Sequence, residues 1–192
     1  MVQLVAGLVV FLGIHSVRIV ADPWRSARIA RIGPGPWKGI YSLVSIAGFL
    51  LLIWGYGRAR AATVVLWQPP LWTHYLAGVL TLVAFVLLAA AYVPGTRTKS
   101  ALHHPMVLSV KVWAFAHLVA NGSLADVVLF GSFLVWAIAD FAASRRRDHR
   151  QGTVYPAGRL GRDALAAAIG IVAWFIFAFY LHARWIGVRP FG

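Results

Sequence analysis

Hydrophobic residues run along the chain in six long stretches, and polar and basic residues gather between them. About 20 apolar residues cross a bilayer core as a helix. The stretches are Val2–Val20, Trp37–Gly57, Leu71–Val93, Pro105–Asn121, Leu124–Ala143, and a last one from Arg162 or Asp163 to Ile186. This pattern predicts six transmembrane helices, of which the fourth is the shortest and holds Lys111. Turn residues mark the boundaries at Gly33-Pro34-Gly35-Pro36, Pro69-Pro70, Pro94-Gly95 and Asn121-Gly122. Trp24, Trp37, Trp67, Trp72 and Trp185 fall near span ends, where indole rings favour the membrane interface. The expected fold is all-α: a polytopic membrane helix bundle forming one transmembrane domain over residues 1–192. Small residues in the first two spans (Gly7, Gly13, Ser42, Ser45 and Gly48) permit close backbone approach.

Composition agrees with that pattern. Hydrophobic residues make up 60% of the chain and charged residues 12%, where a soluble domain carries roughly a quarter charged residues. There are 18 Lys and Arg against five acidic residues, all Asp, for a formal charge of +13. Such an excess can mark a nucleic-acid-binding face. Here the cations sit between apolar runs, as topology signals and partners of anionic membrane lipids, and no nucleic-acid partner is expected. Arg18, Arg25, Arg28, Arg31 and Lys38 surround the first loop, Arg97 and Lys99 the third, and Arg145, Arg146, Arg147, Arg150, Arg159 and Arg162 the fifth. The opposite side has Arg58, Arg60, Arg184 and Arg189. The positive-inside rule then puts the odd loops in the cytoplasm and both termini outside, or in the periplasm of a bacterium. The amino-terminal run lacks the basic region and cleavage site of a secretory signal and reads as an uncleaved span. With no cysteine, disulfides, thiolate nucleophiles, iron–sulfur ligation and covalent c-type haem attachment are excluded.

The candidate chemistry lies in the polar residues within the spans. An intramembrane histidine needs a partner and marks function by default. His15 is followed by Arg18 and Asp22 on roughly the same helical face. His117 shares its face with Trp113, a possible wall for a flat ligand, and with Asn121, which either orients the imidazole or caps the helix end before Gly122. Each imidazole has two readings, a helix–helix hydrogen bond or a metal ligand. Lys111 either snorkels to the cytoplasmic interface or faces a cofactor carboxylate. His104, just before Pro105, reads as a helix-entry residue about 140° around from His117, within reach of a cofactor edge at the interface. His74 and His182 are expected in solvent. Two imidazoles without cysteine make a poor structural zinc site, which usually takes four protein ligands. Iron in a macrocycle asks for less: one or two histidines, an apolar slot, and cations such as Arg18, Lys99 and Lys111 for its propionates.

A set of ordered motifs points to one family. Gly13-Ile-His15-Ser16-Val-Arg18 is followed by Trp37-Lys38-Gly39-Ile-Tyr41-Ser42-Leu-Val-Ser45 and by Trp54-Gly55-Tyr56-Gly57. Then come His104-Pro105, Lys111-Val-Trp113, His117-Leu-Val-Ala-Asn121-Gly122 and Leu129-Phe130-Gly131. Over roughly residues 1–145 the chain resembles the NnrU family. The resemblance implies a polytopic membrane protein linked to bacterial nitrite and nitric oxide reduction, in a redox or maturation role beside a nitrogen-oxide reductase. The same domain is similar to the plant and cyanobacterial 15-cis-zeta-carotene isomerase, which uses haem b. That similarity implies haem b ligation by His15 and His117, with His104 matching a further histidine. It also raises an alternative activity, cis–trans isomerisation of a carotenoid polyene. The isomerase has a cysteine near its second histidine, and this chain departs from that pattern.

Overall fold

The computed structural model describes residues 1–191, and among them all extended regular structure is α-helical. The helices are α1 (Val2–Val20), α2 (Asp22–Ile32), α3 (Pro34–Ala61), α4 (Trp72–Tyr92), α5 (Arg97–Leu102), α6 (Pro105–Ala120), α7 (Leu124–Gln151), α8 (Leu160–Ile176) and α9 (His182–Ile186). A π-helical turn, Phe177–Leu181, joins α8 to α9. Among the described residues five segments are long and apolar enough to cross a membrane: α1, α3, α4, α7 and the run Leu160–Ile186. The remaining predicted span is α6, an apolar helix of 16 residues. At 1.5 Å per residue it measures about 24 Å, short of a ~30 Å hydrocarbon core. Polar termini extend α3 and α7 to 28 residues each, beyond their apolar stretches.

The described chain divides into two compact units. The first comprises Met1–Trp67 and Gly122–Asp140. In it, α1 and α3 run antiparallel along a seam of glycines. A Cβ built on Gly55 would lie 2.5 Å from Leu4 N, one on Gly7 2.5 Å from Leu52 N, and one on Gly48 2.8 Å from Phe11 N. Contacts this short with main-chain atoms leave room only for hydrogen, so glycine lets the two backbones touch. Leu4, Leu8 and Leu52 are buried along the seam. Of the small residues singled out by sequence, Gly7 and Gly48 take part, whereas Gly13 faces open space and Gly55 takes its place.

The first part of α7 completes this unit. Phe133 packs on Phe11 with ring centroids 5.9 Å apart, and Phe130 on Tyr56 at 6.3 Å. At its start the buried Asp126 accepts from Tyr56 Oη at 2.5 Å and from Ser123 Oγ at 2.6 Å. The Ser123 hydroxyl in turn accepts from Asp126 N at 3.2 Å, which satisfies free amides of the first turn. An antiparallel bridge between Val65 and Ser123 ties the preceding segment to this helix start. There Leu66 N donates to Gly122 O at 2.8 Å, and a Cβ on Gly122 would collide with Trp67 O.

The second unit comprises Gln68–Asn121 and Phe141 onward. Here α4 packs against both α6 and α8. Its seam with α8 is again built from small residues, with Ala90 and Ala166 buried in one cluster with Val93. Trp174 Nε1 donates to Thr81 Oγ1 at 3.0 Å. Asp163, at the start of α8, accepts from Thr98 N and Arg97 N, both at 3.0 Å, and so fastens the short α5. Beyond the π turn the chain folds back, and Phe191 stacks on Phe179 and Tyr75 with centroids 5.3 and 6.4 Å apart. His182, expected in solvent, bonds through Nδ1 to Val188 O at 2.7 Å.

Candidate cofactor-binding site

His15 lies in α1 of the first unit, on a helix whose apolar residues leave an imidazole few local partners. It finds one in the turn below. His15 Nδ1 lies 2.6 Å from Phe11 O. A carbonyl oxygen only accepts, so Nδ1 carries the proton and Nε2 is the lone-pair nitrogen. The Phe11 ring packs on the imidazole with centroids 4.3 Å apart, Tyr41 approaches at 5.3 Å, and Trp136 meets it edge-on at 6.1 Å. Trp136 Nε1 is buried with no hydrogen-bond partner among the described residues. Arg18, one turn on, lies 4.0 Å from Asp22, one of the residues that share its helical face.

His117 repeats the arrangement in α6 of the second unit. Its Nδ1 lies 2.8 Å from Trp113 O, which fixes the same tautomer, and the two rings have centroids 5.0 Å apart. In both helices an aromatic residue four positions earlier gives its carbonyl to Nδ1–H and its ring to one side of the imidazole. Asn121 has a different task. Its Nδ2 donates to the main-chain oxygen of His117 at 2.8 Å, so it ends the helix and leaves the ring to Trp113. Lys111 holds its ammonium 5.8 Å from the Phe141 ring centre, a cation–π contact.

His104 precedes α6 and takes part in a separate cluster within the second unit. Its Nε2–H donates to Asp148 Oδ2 at 2.7 Å, and Tyr155 Oη donates to the same oxygen at 3.0 Å. His103 stacks on Tyr155 with centroids 4.2 Å apart and accepts at Nδ1 from Arg145. His103 is the one non-glycine residue with positive φ (+68°) among the described residues, and His104 N closes a γ-turn onto Leu102 O at 2.9 Å. That turn is rare because it is strained. Desolvation, and then the bond to Asp148, raise the Tyr155 hydroxyl above its ordinary pKa.

Sequence reading missed Tyr41 and Trp136 beside His15, and Asp148 beneath His104. It also missed Asp126, although Ser123-Leu-Ala-Asp126 has the spacing of a capping box. Among the described residues no group of three or more His and Asp side chains is placed to hold a metal ion.

A family model described as NnrU protein matches residues 3–190. The chain belongs to the NnrU family. Comparison with curated proteins and with solved structures returns no match. Several motif residues of this NnrU chain now have physical tasks: Gly55 admits α1, Tyr56 holds Asp126, and Gly122 lies against Trp67 O.

Proposed function

We propose that this NnrU protein binds haem b in a bacterial inner membrane and serves nitrite and nitric oxide reduction, in electron transfer or in maturation of a reductase. His15 and His117 supply the iron's protein ligands. One observation carries the reading: His15 Nδ1 and His117 Nδ1 each lie within hydrogen-bond distance of the carbonyl four residues back, the arrangement in which Nε2 is the ligating nitrogen. Ligating histidines characteristically spend their other nitrogen on a carbonyl or carboxylate in this way.

The surrounding residues fit such a group. Two imidazoles suffice only where the remaining coordination comes from a macrocycle. Phe11, Tyr41 and Trp136 beside His15, and Trp113 beside His117, give each imidazole flat apolar neighbours. The Trp136 indole N–H awaits an acceptor, and a buried donor without one costs about 1–3 kcal/mol. Arg18 and Lys111 provide cations for propionates, and His104 stands at the helix entry. When bound, haem would supply one-electron redox chemistry. The chain's own part is to keep both imidazole protons at Nδ1, to hold the rings against their aromatic neighbours, and to exclude water. In this reading α6 is a sixth span, both termini are periplasmic, and membrane lipids and a nitrogen-oxide reductase are the partners.

The test is an optical spectrum of detergent-purified protein, oxidised and reduced, for wild type, His15→Ala and His117→Ala. A Soret band that shifts on reduction is expected in the wild type, and each variant should lose or displace it. Added imidazole should restore part of the signal. Two variants with the wild-type haem spectrum would overturn the assignment.

A further inference from the structure

The segment after the first span was read from its charges as a loop, yet it forms the eleven-residue helix α2. None of its residues is buried. It joins α1 to α3, two antiparallel membrane-type helices, and therefore stands at the end of their hairpin. Its charges are unevenly matched. Asp22, the one acidic residue of this segment, lies 3.8 Å from Arg25 and 4.0 Å from Arg18. Arg28, Arg31 and, at the start of α3, Lys38 have no carboxylate partner among the described residues. Arg28 lies instead over the Trp24 ring, 5.4 Å from its centre. Trp24 is half exposed and packs edge-on to the buried Trp37 with centroids 6.0 Å apart.

We infer that α2 is an interfacial helix whose Arg28 and Arg31, together with Lys38, bind the headgroups of anionic phospholipids. Three physical points favour a lipid phosphate. Guanidinium groups match phosphate oxygens two at a time. Uncompensated cations beside a span are drawn to an anionic leaflet. An indole pair at the same level belongs where hydrocarbon gives way to headgroups. Trp24 anchors the depth of the helix, and the cation–π contact holds Arg28 near that level. The inference rests on the membrane reading alone, so a protein that binds no haem would leave it standing.

The experiment uses the full chain reconstituted in phosphatidylcholine vesicles carrying a trace of spin-labelled phosphatidylglycerol or spin-labelled phosphatidylcholine. The motionally restricted fraction of each label gives the relative association. Wild type should hold phosphatidylglycerol several-fold more strongly than phosphatidylcholine at low salt, and less so as salt rises. Arg28→Gln/Arg31→Gln/Lys38→Gln should remove most of that preference. Arg28→Lys/Arg31→Lys, which keeps the charge, should retain most of it. Arg58→Gln, near the far end of α3, should change it little. The inference fails if the triple glutamine variant, with wild-type helix content by circular dichroism, keeps the full preference. It also fails if Arg58→Gln alone abolishes it. A fold lost in the triple variant moves the decision to Arg31→Gln, which must then lower the preference by itself.

Discussion

Gly55 offers the sharpest test of how the first unit is held together. A methyl group there would lie 2.5 Å from Leu4 N, 2.6 Å from Gln3 C and 2.8 Å from Gln3 O. All three are backbone atoms, so no side-chain rotation relieves the clash. Carbon needs about 3.5–4.0 Å from such neighbours, so α1 must move away from α3 by roughly an ångström. Movement on that scale strips close contacts from the buried Leu4, Leu8 and Leu52. Overpacking a tight site costs about 1–3 kcal/mol, and the upper end applies where backbone must yield. Replacing a helical glycine with alanine returns about 1 kcal/mol. Gly55→Ala should therefore destabilise by about 2 kcal/mol net. Gly57, two residues on in the same helix, has nothing within 4 Å of its would-be Cβ. Gly57→Ala should thus be neutral or stabilising, by up to about 1 kcal/mol. The assay is reversible unfolding in mixed detergent micelles followed by far-ultraviolet circular dichroism. A Gly55→Ala protein within about 0.5 kcal/mol of wild type, the ordinary range for a surface change, would refute the close backbone contact.

Two further outcomes follow from polar contacts. Tyr56→Phe removes the 2.5 Å bond to Asp126 and should cost about 1.5–3 kcal/mol, as for a hydrogen bond to a charged group, in the same unfolding assay. Tyr155 should resist ionisation in alkali. Its folded pKa lies above the ordinary value, so the stabilisation from its bond to Asp148 is complete below pH ~10 and is lost as pH rises through the folded value. A difference titration near 295 nm, wild type minus Tyr155→Phe, reads this directly, and Asp148→Asn should bring the midpoint back down.

The apolar stretches were legible because lipid leaves a chain few options: a run of that length must close its backbone hydrogen bonds internally. The interior histidines stood out for the same reason, as costly residues in an apolar setting. The tautomer was not legible, since it depends on how each ring turns toward the carbonyl of Phe11 or Trp113. α2 was missed because its arginines suggested a loop, although Asp22-Pro23 and Gly33 are ordinary start and stop signals for a helix. Asn121 had two readings, helix end or orienter of His117; its Nδ2 bonds the main-chain oxygen of His117, and the imidazole Nδ1 meets Trp113 O instead. The pairing of His104 with Asp148 joins residues 44 apart, a distance at which local pattern carries no information.

The π turn at Phe177–Leu181 has a consequence for how the end of the chain is phased. Ala166, Gly170, Trp174 and Ala178 recur every fourth residue, three of them buried and Trp174 partly so. In a helix of 3.6 residues per turn, such a row slips sideways by about 40° at each step. A turn wound more widely takes up that slippage, acting as a vernier between the α8 seam and the tail beyond it. Removing one residue from the turn would restore ordinary winding and swing everything after it by about 100°. The aromatic plug formed by Phe191 would then be dialled away from Tyr75, so the length of this short segment matters as much as its side chains.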